Sequence, residues 1–281
     1  MGHNTKRPGW VDFFLEPLER TEQESRAYLA SPSSLGLDVK VVAVLITAAV
    51  TLTVQHFIGM QEGHRLVAAF LETIGQKRLA ADLIAVMNFH ENAQLHRLTW
   101  WACWCAVDYF IVPALIIRLL FRERLGDYGM KVQGALSGLP IYLAMLAVMV
   151  PLVAWMSHYE RFQETYPFYR LPPGQDLWPY FWCWELLYGF QFVFLEFFFR
   201  GFILHGVKRR FGAYAIVVMM VPYCMIHFTK PLPECCASIL AGLALGFMSL
   251  KTRSIWLGAA LHISVALSMD FASLWRQGYF G

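Results

Sequence analysis

Glu196, His227 and His262 are the residues of this 281-residue chain whose types and settings could do chemistry. Glu196 sits in the run Phe194-Leu195-Glu196-Phe197-Phe198-Phe199-Arg200, and both histidines lie in or beside apolar stretches. A carboxylate in an apolar pocket can accept and return a proton near neutral pH, and a nearby histidine can hold a water or polarise a carbonyl. A second histidine can stabilise an oxyanion. Together the three could activate water against an amide, which needs no cofactor. Two histidines and a glutamate are also a zinc ligand set of the metallopeptidase type, so zinc stays open. The helical H-E-x-x-H pattern of many zinc peptidases is absent from the sequence. Arg200 follows Glu196 by one helical turn, so the two share a face and can pair. That pair could equally do no more than neutralise itself so that the helix can insert.

The elements that must position these groups are membrane spans. The chain is 57% hydrophobic and 15% charged, with a mean hydropathy of +0.45. Soluble domains are about 45–50% apolar and about 25% charged. The excess defines an all-α, polytopic transmembrane bundle and excludes disorder, coiled coil, collagen and a disulfide-stapled secreted scaffold. The longest basic run is Lys208-Arg209-Arg210 and the net charge is +3, so no nucleic-acid partner is expected. The cysteines form no C-x-x-C pair; Cys103, Cys105, Cys183 and Cys224 lie in apolar stretches and read as small buried hydrophobes.

About seven spans are expected, because each needs about 20 mostly apolar residues. They cover 41–60, 98–120, 134–156, 177–204, 212–228, 235–250 and 255–274. The chain then divides into a polar, interfacial N-terminal segment (1–40), N-terminal spans (41–176) and a core bundle (177–275). Within the second part, 61–97 is too charged to span and reads as amphipathic helix lying on the membrane or capping the bundle. No cleavable signal peptide is expected, since the first apolar run begins near Val41. The bias of Lys and Arg puts the N-terminus inside, with Lys6, Arg7, Lys40, Arg122, Arg124 and Lys208–Arg210 on the inner side.

Depth unites the three candidates. At about 1.5 Å per residue, Glu196 lies about 18 Å from the inner edge marked by Lys208, His227 about 21 Å and His262 about 13 Å. All three fall in the middle of a hydrocarbon core about 30 Å thick, where ionisable groups are costly and functional by default.

In sequence order, Glu196-x-x-x-Arg200-Gly201, Tyr223-x-x-x-His227 and Gly258-Ala259-Ala260-Leu261-His262 resemble the CPBP family of CAAX proteases and bacteriocin-processing enzymes. The family's motifs are E-E-x-x-x-R, F-x-x-x-H and H-x-x-x-N. The resemblance covers about residues 177–270. It implies a glutamate-dependent intramembrane endopeptidase in a bacterial cytoplasmic membrane, acting on a membrane-presented peptide or protein. Glu196, His227 and His262 would be catalytic, with Arg200, Tyr223 and Glu234 supporting. Leu195 stands where the family has its first glutamate, Ala266 where it has asparagine, and Tyr223 where it has phenylalanine.

Other carboxylates could stand in for the missing one. Glu185 lies near the Glu196 face but about 16 Å away along the axis. Glu234 is expected within a fold-back of His227, or as an ordinary carboxylate at a helix N-terminus. Asp270 reads as a helix-end residue, and Asp108 has no explanation. His56, His64, His90, His96 and His205 are placed at interfaces or in loops without a role. The competing readings are a non-catalytic scaffold, immunity or sorting partner on the same bundle, and a small transporter with a midplane proton site.

Overall fold

The computed structural model describes residues 8–172 and 174–280. Lys6 and Arg7, together with the rest of the first seven residues of the 1–40 segment, lie outside the described residues. The helices in chain order are α1 (Gly9–Leu29), α2 (Val39–Val54), α3 (His64–Thr73), α4 (Lys77–Asn88), α5 (Ala93–Ala106), α6 (Val112–Leu115) and α7 (Leu139–Met156). They continue with α8 (Glu160–Thr165), α9 (Tyr180–Glu196), α10 (Leu204–Phe211), α11 (Ala215–Met225), α12 (Leu232–Thr252) and α13 (Trp256–Arg276). Short π-helical and 3-10 stretches join several of them. The fold is all-α, and the protein is a multi-pass membrane protein.

Among the described residues, six helical stretches are long and apolar enough to cross a membrane, close to the seven spans expected: Pro32–Gly59, Ala93–Leu120, Ala135–Met156, Tyr180–Met225, Leu232–Thr252 and Trp256–Arg276. The difference lies in Tyr180–Met225, which has 46 residues and joins two of the expected spans. Drawn out straight it would reach about 69 Å. Instead Phe199 and Tyr223 meet with ring centroids 5.2 Å apart, so the chain folds back. The reversal falls at Gly212, whose φ of +56° is open to glycine and strained for other residues. Glu22 of α1 pins the turn by accepting the Ala213 N–H at 2.7 Å.

This hairpin is the centre of the molecule. Over half of its apolar window (56%) is buried inside the protein, against 11% for Ala135–Met156, whose α7 is therefore an outer helix. Phe197, Phe198, Phe199, Phe202, Ile203 and Leu204 have no exposed surface. Lipid tails are as apolar as these side chains, so the packing is held by close van der Waals contact and a few polar ties rather than by expulsion of water. One tie explains Asp108. With the Gln55 amide oriented by its neighbours, it donates to Asp108 Oδ2 at 3.1 Å and accepts from Trp101 Nε1 at 3.3 Å. The cysteines do not all behave as buried hydrophobes: Cys105 is buried, while Cys103 and Cys183 are exposed. An apolar stretch does not say which of its faces meets lipid.

The expected amphipathic connection is two helices, α3 and α4, which leave Phe70 and Phe89 exposed. Helix α1 packs on the end of α12: Phe14 lies 5.6 Å from Phe247, and Arg20 donates to the Leu250 carbonyl at 2.8 Å. Trp10 and Phe14 remain open on its outer side.

Lys40 of α2 reaches Glu123 at 2.7 Å, and Tyr128 donates to the same carboxylate at 2.6 Å. Burial raises the proton affinity of Glu123, but these two hydrogen bonds outweigh it and hold the carboxyl below its ordinary value near 4.5. The stabilisation is therefore present above that value and lost as pH falls through the lower, folded value. Unfolding midpoints in detergent should drop on acidification in this range, and Glu123→Gln should flatten that part of the curve. An unchanged profile would remove Glu123 as its source.

Candidate active site

Glu196 is the last residue of α9, where the backbone passes into the π-helical stretch Phe197–Ile203. Leu195 packs among the aromatic residues of the central core, and Glu196 turns the other way. Its Oε1 lies 2.8 Å from Arg200 Nη1 and 2.8 Å from His262 Nδ1. Both are charge contacts set obliquely, off the line of an ideal hydrogen bond. The carboxylate is 1% exposed and Arg200 is fully buried, whereas the His262 side chain keeps 17% of its surface. Gly258 makes the room: a Cβ at that position would come 2.7 Å from Glu196 Oε2.

Tyr223 of α11 completes the cluster. Its hydroxyl is 3.0 Å from His262 Nε2. The Arg200 guanidinium lies 3.9 Å from the centre of its ring, a cation–π contact shielded from water. Phe192 stacks on the other ring of the site, His262, at 5.5 Å. His227 follows α11 in a turn, and its ring packs edge-on against Tyr223 at 4.9 Å.

The partners decide which nitrogens carry protons. The Tyr223 carbonyl lies 2.9 Å from His227 Nδ1 and can only accept, so Nδ1 is the protonated nitrogen and Nε2 holds the lone pair. With the Glu196 carboxylate 2.8 Å from His262 Nδ1, electrostatics favours the proton on Nδ1, and in that tautomer Nε2 accepts from the Tyr223 hydroxyl. The structure thus joins four of the expected residues, Glu196, Arg200, Tyr223 and His262, in direct contact, and stands His227 beside them.

Glu234 is placed elsewhere. It lies in the first turn of α12, where the helix dipole favours a carboxylate. Tyr166 donates to both of its oxygens at 3.2 Å, and Lys230 Nζ stands 3.9 Å away. Ala266 packs into a separate aromatic cluster with Trp184 and Tyr188.

Two expectations are corrected. Asp270 is not a helix-end residue: it lies inside α13, fully buried, beside the buried carboxyl of Glu185. The pairing escapes sequence reading because the partners lie on helices whose relative rotation no local pattern encodes. His205 is not in a loop or at an interface; it is buried in α10, with Nε2 3.1 Å from Ser249 Oγ.

Among the described residues, no group of three His, Cys, Asp or Glu side chains is arranged to hold a metal ion. The Glu196 carboxylate contacts the guanidinium and an imidazole directly.

Fold and site together define a polytopic helical membrane protein with a carboxylate, an arginine and two histidines gathered within its bundle. Residues 177–268 match the family model of type II CAAX prenyl endopeptidase Rce1-like proteins. That segment carries Glu196, Arg200, Tyr223, His227, Glu234 and His262, and it is the segment that bears the motif resemblance. A comparison with curated proteins found no match. Nor did any solved structure match.

Proposed function

We propose that this protein is an intramembrane endopeptidase of the CAAX-protease type, which hydrolyses a peptide bond in a prenylated or otherwise membrane-presented tail. The observation that carries this reading is the contact of Glu196 with His262 inside the bundle, on the segment that matches the family. Glu196 has almost no open surface, so it acts through His262 by orienting the imidazole. The lone pair of His227 Nε2 is the group best placed to take a proton from water. The water oxygen then bonds to the peptide carbonyl carbon, and the Tyr223 hydroxyl turns from His262 to the developing oxyanion. The C–N bond breaks as the proton held on His227 passes to the leaving amine. Arg200 stays in contact with Glu196 throughout and balances its charge. The basic end of the bundle faces the cytoplasm, where positive charge is retained.

The reading is tested with the full chain in proteoliposomes and a farnesylated C-terminal tetrapeptide-tailed probe, followed by mass spectrometry. Release of the terminal tripeptide is expected, and an intact probe together with an intact unprenylated control would refute the assignment. Tyr223→Phe should slow cleavage about 100-fold, the usual cost of losing one oxyanion donor. The family carries phenylalanine there together with an asparagine, but here the asparagine position is Ala266. An unchanged rate in Tyr223→Phe would exclude the hydroxyl from catalysis.

Leu195 and Ala266, each packed among apolar neighbours, favour a second reading, a non-catalytic scaffold on the same bundle. In that case the probe stays intact and the site variants change partner binding only through stability.

A further inference from the structure

A second polar site lies at the basic end, about 13 Å along the helix from Glu196. There the ends of α2, α10 and α12 meet α1 and the 121–131 loop around a cavity of ≈ 450 Å³. Five cations line it: Lys40, Lys131, Lys208, Arg209 and Arg253. Three acids line it too, but each is already engaged. Glu123 is bound by Lys40 at 2.7 Å, Asp127 by Lys131 at 3.1 Å, and Glu24 by Arg253 at 2.7 Å. Among the described residues, Lys208 and Arg209 have no carboxylate within ion-pair distance. The cavity therefore keeps two positive charges unmatched.

Two further observations point to a ligand. Arg253 ends α12 in the left-handed region, at φ +54°, where glycine is the usual residue. That conformation is strained for a non-glycine residue, yet an arginine stands there at the cavity wall. His205 also lines the cavity and is 95% buried, and its Nδ1 has no hydrogen-bond partner. Ser249 Oγ donates to the Arg200 carbonyl at 3.1 Å, so it accepts from His205 Nε2–H. This leaves Nδ1 as an unmatched acceptor. An anion that suits the site has two negative charges at most and an acidic hydroxyl to offer a buried imidazole. A phosphate monoester has both, since its second proton titrates near pH 6. A phosphodiester has no such hydroxyl.

We propose that this cavity binds a phosphate monoester, carried by a lipid headgroup at the membrane face or free in solution. Lys208 and Arg209 neutralise its charge, and His205 accepts its P–OH. The inference does not rest on the peptidase reading, because it is read by binding alone.

The full chain is purified in neutral detergent, and its thermal midpoint is titrated with dioleoyl phosphatidic acid, dioleoyl phosphatidylglycerol, phosphatidylcholine and inorganic phosphate. Saturable stabilisation by phosphatidic acid, at least tenfold tighter than by phosphatidylglycerol, is expected. If inorganic phosphate competes at similar concentration, the free anion is the ligand; if it does not, the headgroup on its lipid is. Lys208→Gln/Arg209→Gln should weaken binding at least tenfold with little change in the unliganded midpoint, because neither side chain holds an ion pair. Lys77→Gln/Arg78→Gln on α4 should leave binding unchanged. Equal binding of phosphatidylglycerol overturns the monoester assignment. Equal binding to both double variants reduces the effect to general attraction between basic surface and anionic lipid, and overturns the site.

Discussion

His262→Ala should lower the rate of cleavage of the farnesylated probe by about 10²–10⁴-fold, the range over which positioned acid–base groups contribute. His262 joins the cluster at both ring nitrogens, to Glu196 on one side and the Tyr223 hydroxyl on the other. Its removal therefore silences Glu196 as well, although that carboxylate stays in place. His262 keeps some exposed surface, so the alanine leaves a gap that lipid or water can fill, and the fold should survive. His262→Ala and Glu196→Gln should give similar losses, and their combination little more, because they act as one unit. Parallel rates for wild type and His262→Ala, at equal protein recovery, would show that the cluster is structural.

Arg200→Met is expected to produce the largest loss of stability, about 3–5 kcal/mol, the usual consequence of leaving a buried charge without its partner. Glu196 is 1% exposed, and without the guanidinium its charge would face only His262. The methionine also forfeits the stacking of Arg200 on Tyr223. Glu196→Gln/Arg200→Met should recover much of the stability, because no unpaired charge remains, but none of the activity. Unfolding midpoints in detergent and probe cleavage, measured on the same three preparations, separate the two roles of the pair. If the double variant cleaves the probe, the pair does no more than let its helix insert. If the double variant is as unstable as Arg200→Met, packing of the arginine matters more than its charge.

How far the site was legible in the sequence depended on the quantity asked for. Depth was readable, because basic helix ends mark the membrane edge and each residue adds a fixed rise. It set Glu196, His227 and His262 at one level, and they lie together. The shift from a missing glutamate at Leu195 to Glu196 was readable only as a question. A one-residue step turns a side chain by about 100°, and the outcome depended on Gly258 of α13 leaving space for the carboxylate. Glu234 lies close to its histidine in sequence, yet the fold commits it to Tyr166 and Lys230.

By itself the sequence determined the class of protein, the approximate spans, the basic end and the level of the polar site. These follow from composition, charge placement and helix rise, which are local or additive. The tertiary structure alone decided which faces meet. It made Glu196 a partner of His262 rather than an open base, set Asp270 beside Glu185 and gathered the cations around His205. In water an apolar stripe marks the inward face of a helix. In a bilayer lipid and core are equally apolar, so a helix such as α7 is hydrophobic all round, and no periodicity announces how it turns.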